Sequence, residues 1–170
     1  MSKELPARRN IRLKKFDYSS EGYYFVTICV KDGHMMLGEI VGNGLARSAY
    51  IELSDYGIIA NREMQKISSH YSDVMIDQYV IMPNHIHAIV IIRGGIRRLD
   101  GTTERASPFP TLGNIIGGYK AGVSRLCGFS LWQKSFYDHI IRSDADYLRI
   151  WQYIDDNPAK WTEDEYFIAH

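Results

Sequence analysis

Along this chain the apolar positions switch between a period of two and a helical period, and the switches mark the elements. Tyr23 to Val30 (YYFVTICV) is a run of β-branched and aromatic residues. Closed by the turn chemistry of Lys31-Asp32-Gly33, it predicts a first strand. From about Ser54 to Ser69 the apolar positions Tyr56, Ile59, Ala60, Met64 and Ile67 recur at helical spacing, with Asn61, Arg62, Glu63 and Lys66 on other faces. Ser54 is placed to cap that helix. Val74 to Ile81 and His85 to Ile92 read as two strands separated by Met82-Pro83-Asn84. The proline cannot join a ladder and fits a connecting turn, so the pair predicts a hairpin.

Arg93 to Pro110 carries Gly94, Gly95, Gly101, Pro108 and Pro110 with mixed charge and no periodicity, which predicts a surface loop and the best place for a mobile segment. Thr111 then caps a helix with the apolar stripe Leu112, Ile115, Ile116, Tyr119, Val123 and Leu126, ended by Gly128. Gly113, Gly117, Gly118 and Gly122 each cost this helix about 1 kcal/mol relative to alanine, so something should approach its backbone closely, either a packing partner or a phosphate backbone. A strand is expected around Phe129 to Phe136. A last helix is expected from about Asp144 to Asp156, with Tyr147, Ile150, Trp151 and Ile154 inward, until Asn157-Pro158 stops it. The order strand, helix, hairpin, helix, strand, helix predicts an α+β fold, an antiparallel sheet with helices packed on one face.

The 170 residues suit one domain, here residues 1–170 with a basic N-terminal arm over about 1–20 and the loop over about 93–110. No apolar stretch approaches the roughly 20 residues of a membrane span. Two isolated cysteines, Cys29 and Cys127, make no disulfide framework, and no leader pattern opens the chain, so the expected setting is a reducing cytoplasm. Net charge is zero but unevenly spread. Residues 1 to 15 carry Lys3, Arg8, Arg9, Arg12, Lys14 and Lys15 against Glu4, six minus one, or plus five. Asp155, Asp156, Glu163, Asp164 and Glu165 against Lys160, five minus one, make minus four near the other end. Solvated tails are the plain reading of both.

The chemistry starts from His85 and His87. On a strand, residues two apart share a face, so both imidazoles point the same way and can share a metal, or equally be a satisfied pair of core or surface histidines. Further ligands by residue type include Asp77, His139, Asn157 and the acidic residues near it. His34, His70 and His170 lack such companions and are expected at the surface.

Met82-Pro83-Asn84-His85-Ile86-His87 resembles the HUH signature, histidine-hydrophobic-histidine, of single-strand DNA endonucleases. The resemblance extends to Asn10-Ile11-Arg12-Leu13, Tyr23-Tyr24-Phe25-Val26-Thr27, Leu112-Gly113-Asn114-Ile115-Ile116 with Tyr119-Lys120, and Trp132-Gln133-Lys134 with Tyr137-Asp138-His139-Ile140-Ile141-Arg142. In order, and over about three quarters of the chain, these are similar to the single-tyrosine transposases, above all the REP-associated branch. The resemblance implies a ferredoxin-like core and a nucleophilic tyrosine on the last helix. A polar residue four positions later is then the third metal ligand beside the two histidines. Tyr153 and Asn157 match that arrangement, and their i, i+4 spacing puts them on one helix face. Tyr137 and Tyr147 are the rivals to Tyr153; Tyr147 shares the packing stripe of Trp151 and Ile154, whereas Tyr137 precedes the family's Asp138-His139. Those two residues are either a polar pair closing the sheet edge or neighbours that orient a ligand.

The reaction so implied is attack by Tyr153 on DNA, leaving a 5′-phosphotyrosine and a free 3′-hydroxyl, with rejoining as the reverse step. A phenol is only about a thousandth ionised at neutral pH, so a divalent cation on His85, His87 and Asn157 is needed to activate it and the phosphate. The resemblance implies Mg2+ or Mn2+; zinc, which suits imidazoles, is expected as an inhibitor. Its partner is single-stranded or hairpin DNA, with Arg8, Arg9, Arg12, Lys14, Lys15, Lys120 and Arg125 as expected backbone contacts and Lys134 as further charge. Monomer and homodimer, and a site built in cis or in trans, stay open. Two other readings remain: a metal-dependent phosphoesterase using water, and a non-catalytic hairpin-binding protein derived from a transposase.

Overall fold

The computed structural model describes residues 21–42, 49–93 and 111–168. The basic arm with Arg8, Arg9, Arg12, Lys14 and Lys15, and the expected loop beyond Arg93, lie outside the described residues. The elements are β1 (Gly22–Cys29), a 3-10 turn (Lys31–Gly33), β2 (Gly38–Val41), β3 (Tyr50–Leu53), α1 (Asp55–His70), β4 (Val74–Ile81), β5 (His85–Ile92), α2 (Leu112–Cys127), β6 (Tyr137–Ile141), α3 (Asp144–Asp156) and a second 3-10 turn (Trp161–Glu163). Side-chain caps open all three helices: Ser54, Thr111 and Ser143 each accept from an N–H three residues on, and Gly128 closes α2 in the left-handed region.

Four strands form one antiparallel sheet in the order β4-β5-β1-β6, the ferredoxin-like order for a βαββαβ chain; β2 and β3 pair apart as a two-stranded ribbon. Alternation sorts the side chains. Tyr24, Val26 and Ile28 of β1 and Ile86, Ala88, Val90 and Ile92 of β5 pack with Met64 and Ile67 of α1 and Ile115, Ile116 and Val123 of α2. Phe25, Ile89 and Ile91 pack on the opposite face with Ile150 and Ile154 of α3. The α+β antiparallel expectation holds. Packing of helices on one face holds for α1 and α2 only, because β5 is buried at all eight positions and needs cover on both sides.

Three local expectations shift. The strand expected around Phe129 to Phe136 lies at Tyr137–Ile141. Leu131 and Trp132 instead sink into the α1–α2 core, with an isolated bridge from Trp132 to Val30, just past the end of β1, and the ladder on β1 begins with Tyr137 opposite Thr27. Trp151 is exposed, since the inward stripe of α3 runs Ile150, Ile154, Asn157 and leaves it outside; Leu126 overhangs the last turn of α2. The glycines of α2 are explained in part by packing. A Cβ at Gly118 or Gly122 would meet the Tyr71 hydroxyl or the Glu63 carboxylate of the α1 side, whereas at Gly117 it would meet open space.

The entry to α1 is tied to the turn that leads into β5. Ser54 Oγ donates to the Met36 carbonyl (2.6 Å) and accepts from Gly57 N (3.1 Å), and Leu37 N donates to the Pro83 carbonyl (2.9 Å). Gly57 is pressed against this segment, and a Cβ there would collide with the Leu37 carbonyl oxygen. Gly57→Ala is therefore expected to destabilise the fold by about 2 kcal/mol, despite alanine's better helix propensity. The measurement is a lower urea midpoint at unchanged m value; an unchanged midpoint would show that the Leu37 segment yields without cost.

Candidate active site

The site is built on β5, where His85 and His87 face α3 and are both buried. Their Nε2 atoms approach to 3.0 Å. Each ring is anchored through its other nitrogen: His87 Nδ1 lies 2.8 Å from Thr27 Oγ1 of β1, and His85 Nδ1 lies 2.8 Å from Asn84 Oδ1. Asn84 donates its amide hydrogens to the carbonyls of Gly33 and Tyr166, at 3.3 and 2.8 Å, so its oxygen is left as the acceptor and His85 Nδ1–H as the donor. The Gly33 carbonyl is presented by a turn in which Asp32 and Gly33 both take positive φ, 57° and 70°. The turn chemistry after β1 thus fixes the tautomer of a histidine on its neighbour, with the lone pair of His85 Nε2 turned into the site.

Burial lowers both imidazole pKa values. His85 falls well below the ordinary value, through desolvation and then the neighbouring His87, and His87 falls to about 3 through desolvation. Both rings are neutral at physiological pH, the ligand form. With His85 Nε2 bare, the 3.0 Å contact is a hydrogen bond only if His87 carries its proton on Nε2; in its other tautomer two lone pairs face one another and call for a cation.

Tyr153 and Asn157 of α3 complete the constellation. Tyr153 Oη lies 3.2 Å from His87 Nε2 and 3.3 Å from Asp164 Oδ2, and Asn157 Nδ2 donates to the same Asp164 oxygen at 3.1 Å. Asn157 Oδ1 is buried with no hydrogen-bond partner among the described residues. Desolvation, followed by the Asp164 carboxylate, raises the Tyr153 pKa, so the phenol is protonated. Tyr153 remains 39 % exposed, so the residue links the buried polar cluster at its hydroxyl to the surface.

Sequence reasoning does not single out Asp164, which falls in the acidic run expected to be solvated. That reading fits exposed Asp155, Glu163 and Glu165 but fails for Asp164, which the turn Trp161–Glu163 folds inward. Its carboxylate accepts from Tyr166 N at 2.7 Å, and Oδ2 stands 4.0 Å from the Nε2 of each histidine. Donor atoms of His85, His87 and Asp164 lie within 4.8 Å of one another, a group that could hold a metal ion. The available signal was the aromatic company of this aspartate, Trp161, Tyr166 and Phe167, which a solvated tail would lack.

Other expected residues lie elsewhere. Asp77, at an irregularity of β4, accepts from the Tyr147 hydroxyl at 2.6 Å, which raises that phenol to about 12 and fastens α3 to the sheet. His139 Nε2 lies 2.8 Å from Asp146 Oδ2 at the start of α3, and Arg149 donates to the other oxygen. His139 is thus a link from β6 to α3. Tyr137 meets Phe25, not the histidine pair. Lys120 Nζ donates to the carbonyls of Gln133 and Ser135, which ties α2 to the segment before β6; Arg125 is exposed on the last turn of α2. His34 and His70 are exposed; His170 lies outside the described residues. Among the described residues no helix is long and apolar enough to cross a membrane.

A histidine with a depressed folded pKa stabilises the protein above its unfolded pKa of about 6.5, and the contribution is lost as pH falls toward the folded value. Through this window the unfolded chain binds more protons than the folded one. Stability in chelator should therefore fall below about pH 6.5 by up to about 1.4 kcal/mol per pH unit per histidine, read from urea midpoints. His85→Gln/His87→Gln should flatten that slope; an equally steep slope would assign it to other groups.

No protein-family model matches the chain. An uncharacterised protein of Haemophilus influenzae is 36% identical to it over 177 residues, a match that covers 95% of this chain and 93% of that protein. Among solved structures, a REP-associated tyrosine transposase bound to a REP hairpin matches with a TM-score of 0.62 at 20% identity, over 86% of this chain and 72% of that one.

Proposed function

This chain belongs to one family with the Haemophilus influenzae protein and has the fold of a REP-associated tyrosine transposase, and from that premise we propose that it is a metal-dependent transesterase of single-stranded DNA. The observation that carries the reading is the position of Tyr153 Oη, 3.2 Å from His87 Nε2 and 3.3 Å from Asp164 Oδ2, on the helix that also brings in Asn157. An exposed phenol beside two neutral imidazoles and a buried carboxylate has the parts of a nucleophile site.

The residues fit a divalent cation. The inward lone pair of His85, the partnerless Asn157 Oδ1 and the Asp164 carboxylate are donors short of a positive charge. His85, His87 and Asn157, with Asp164 beside them, would hold Mg2+ or Mn2+, which supplies a Lewis acid for a phosphate oxygen and for the phenol. The remaining work falls to the chain itself. Tyr153 Oη attacks phosphorus in line, the Oη–P bond forms, and the P–O3′ bond breaks to leave a 3′-hydroxyl and a 5′-phosphotyrosine. The phenolic proton has its acceptor in Asp164 Oδ2; the leaving oxygen takes a proton from solvent. Phe25, stacked on His87 at 5.2 Å, holds that ring in its plane, and Asn84 holds the other. The substrate on this reading is single-stranded or hairpin DNA; the structural relative is bound to a REP hairpin.

Incubating the protein with labelled hairpin oligonucleotides and Mn2+ or Mg2+ tests the reading. A denaturation-resistant protein–DNA adduct is expected from the wild type and from Tyr147→Phe, and none from Tyr153→Phe. Cleavage that persists in Tyr153→Phe without an adduct would replace this reading with hydrolysis by water. One observation favours binding without cleavage: Trp161 and Tyr166 cover His85, with ring centroids 6.0 and 4.6 Å away. Tight hairpin binding with no cleavage in either metal would establish that alternative.

Asn84 gives a second test, since it orients a ligand without being one. Asn84→Leu should weaken Mn2+ binding about 10- to 100-fold by calorimetry while the protein stays folded. Unchanged affinity would remove His85 from the ligand set.

A further inference from the structure

The α3 face of the sheet carries a further exposed tyrosine in line with the site. In the strand registers His87 lies opposite Thr27, and Thr27 lies opposite Tyr137, so the three residues form one row across β5, β1 and β6. With neighbouring strands about 4.8 Å apart, the Tyr137 backbone stands about 10 Å from that of His87, one to two nucleotides of extended single strand. β6 is the sheet edge, and the Tyr137 ring is 39 % exposed. One side of it packs edge-on against Phe25, with centroids 6.4 Å apart and planes at 71°. Phe25 is also edge-on to Tyr153, at 6.1 Å and 80°, and stacked on His87. One buried ring thus supports two exposed tyrosines, the one beside the histidines and the one at the edge.

We propose that Tyr137, held by Phe25, is a stacking platform for a nucleobase of the single strand beside the phosphate that Tyr153 attacks. The inference rests on the transesterase reading and adds a subsite to it. An aromatic ring fixed on one side and open on the other offers its face to any base at little entropic cost, and this kind of contact tolerates sequence. The exposed Lys134 three residues earlier supplies a positive charge for the adjoining phosphate. A base is favoured over a second protein chain because Tyr137 adjoins, through Phe25, the hydroxyl proposed to react with DNA.

The test is an abasic scan. Hairpin oligonucleotides with single-stranded flanks, each with one base removed at a successive flank position, are titrated against wild type, Tyr137→Ala, Tyr137→Leu and Tyr137→Phe in Mn2+. Binding of the intact oligonucleotide should weaken about tenfold in Tyr137→Ala and in Tyr137→Leu, which keeps bulk without a π face, and less than about twofold in Tyr137→Phe. At one flank position the abasic site should weaken wild type by the same factor, and Tyr137→Ala should add nothing there. Losses that add at every position, or Tyr137→Leu binding like wild type, would overturn the platform. So would a concentration-dependent dimer that Tyr137→Ala abolishes without any coupling to a base. Adduct formation by wild type is read in parallel. An adduct without coupling overturns the platform alone, coupling without an adduct overturns the transesterase reading alone, and failure to bind any oligonucleotide overturns both.

Discussion

Two bare or half-bare imidazole nitrogens 3.0 Å apart, inside a strand buried at every position, are what the rest of this structure is arranged to tolerate. Polar nitrogens in such a place are costly unless each has a partner, and one nitrogen of each ring is satisfied from a different strand or turn. Thr27 serves His87 from β1, and Asn84 serves His85 from the turn before β5. Asn84 can do so only because the turn after β1 offers the Gly33 carbonyl and the segment after α3 offers that of Tyr166. The same turn receives Leu37 N at Pro83 and Val30 N at Asn84, which binds the start of α1 and the end of β1 to it. Three distant stretches of chain are thereby committed to two ring orientations.

The legible parts of the sequence were those with a sustained period. β1, α1, the hairpin β4–β5, α2 and α3 each carry enough turns or alternations for the pattern to outweigh local exceptions. β2 and β3 have four residues each and are half-exposed, too short for a period to register. β6 lies later in the chain than its pattern suggests, because Leu131 and Trp132 look like a strand core yet are buried by helices rather than by a ladder. In the site, the shared face of His85 and His87 follows from a period of two and that of Tyr153 and Asn157 from an i, i+4 step, both local geometry. Asp164 belongs to no period. Its place depends on a 3-10 turn and on the aromatic residues around it, so only the folded chain brings it to the histidines.

That carboxylate also explains why Tyr153, the proposed nucleophile, is a neutral phenol in the free protein. Asp164 Oδ2 faces both Tyr153 Oη and Asn157 Nδ2, so one oxygen raises the tyrosine pKa and takes up the amide's donor, while the amide's own oxygen stays buried with no partner among the described residues. Two neutral imidazoles, one amide and one carboxylate sum to a single negative charge. With a dication the cluster would be left with one positive charge, which in the proposed reaction would match one phosphodiester. In the proposed reaction, the charge that holds Tyr153 protonated in the free protein would be the same charge that accepts its proton when phosphate arrives. A single buried aspartate can serve both ends because the hydrogen bond that links it to the phenol is long, 3.3 Å, and shares the hydroxyl with His87.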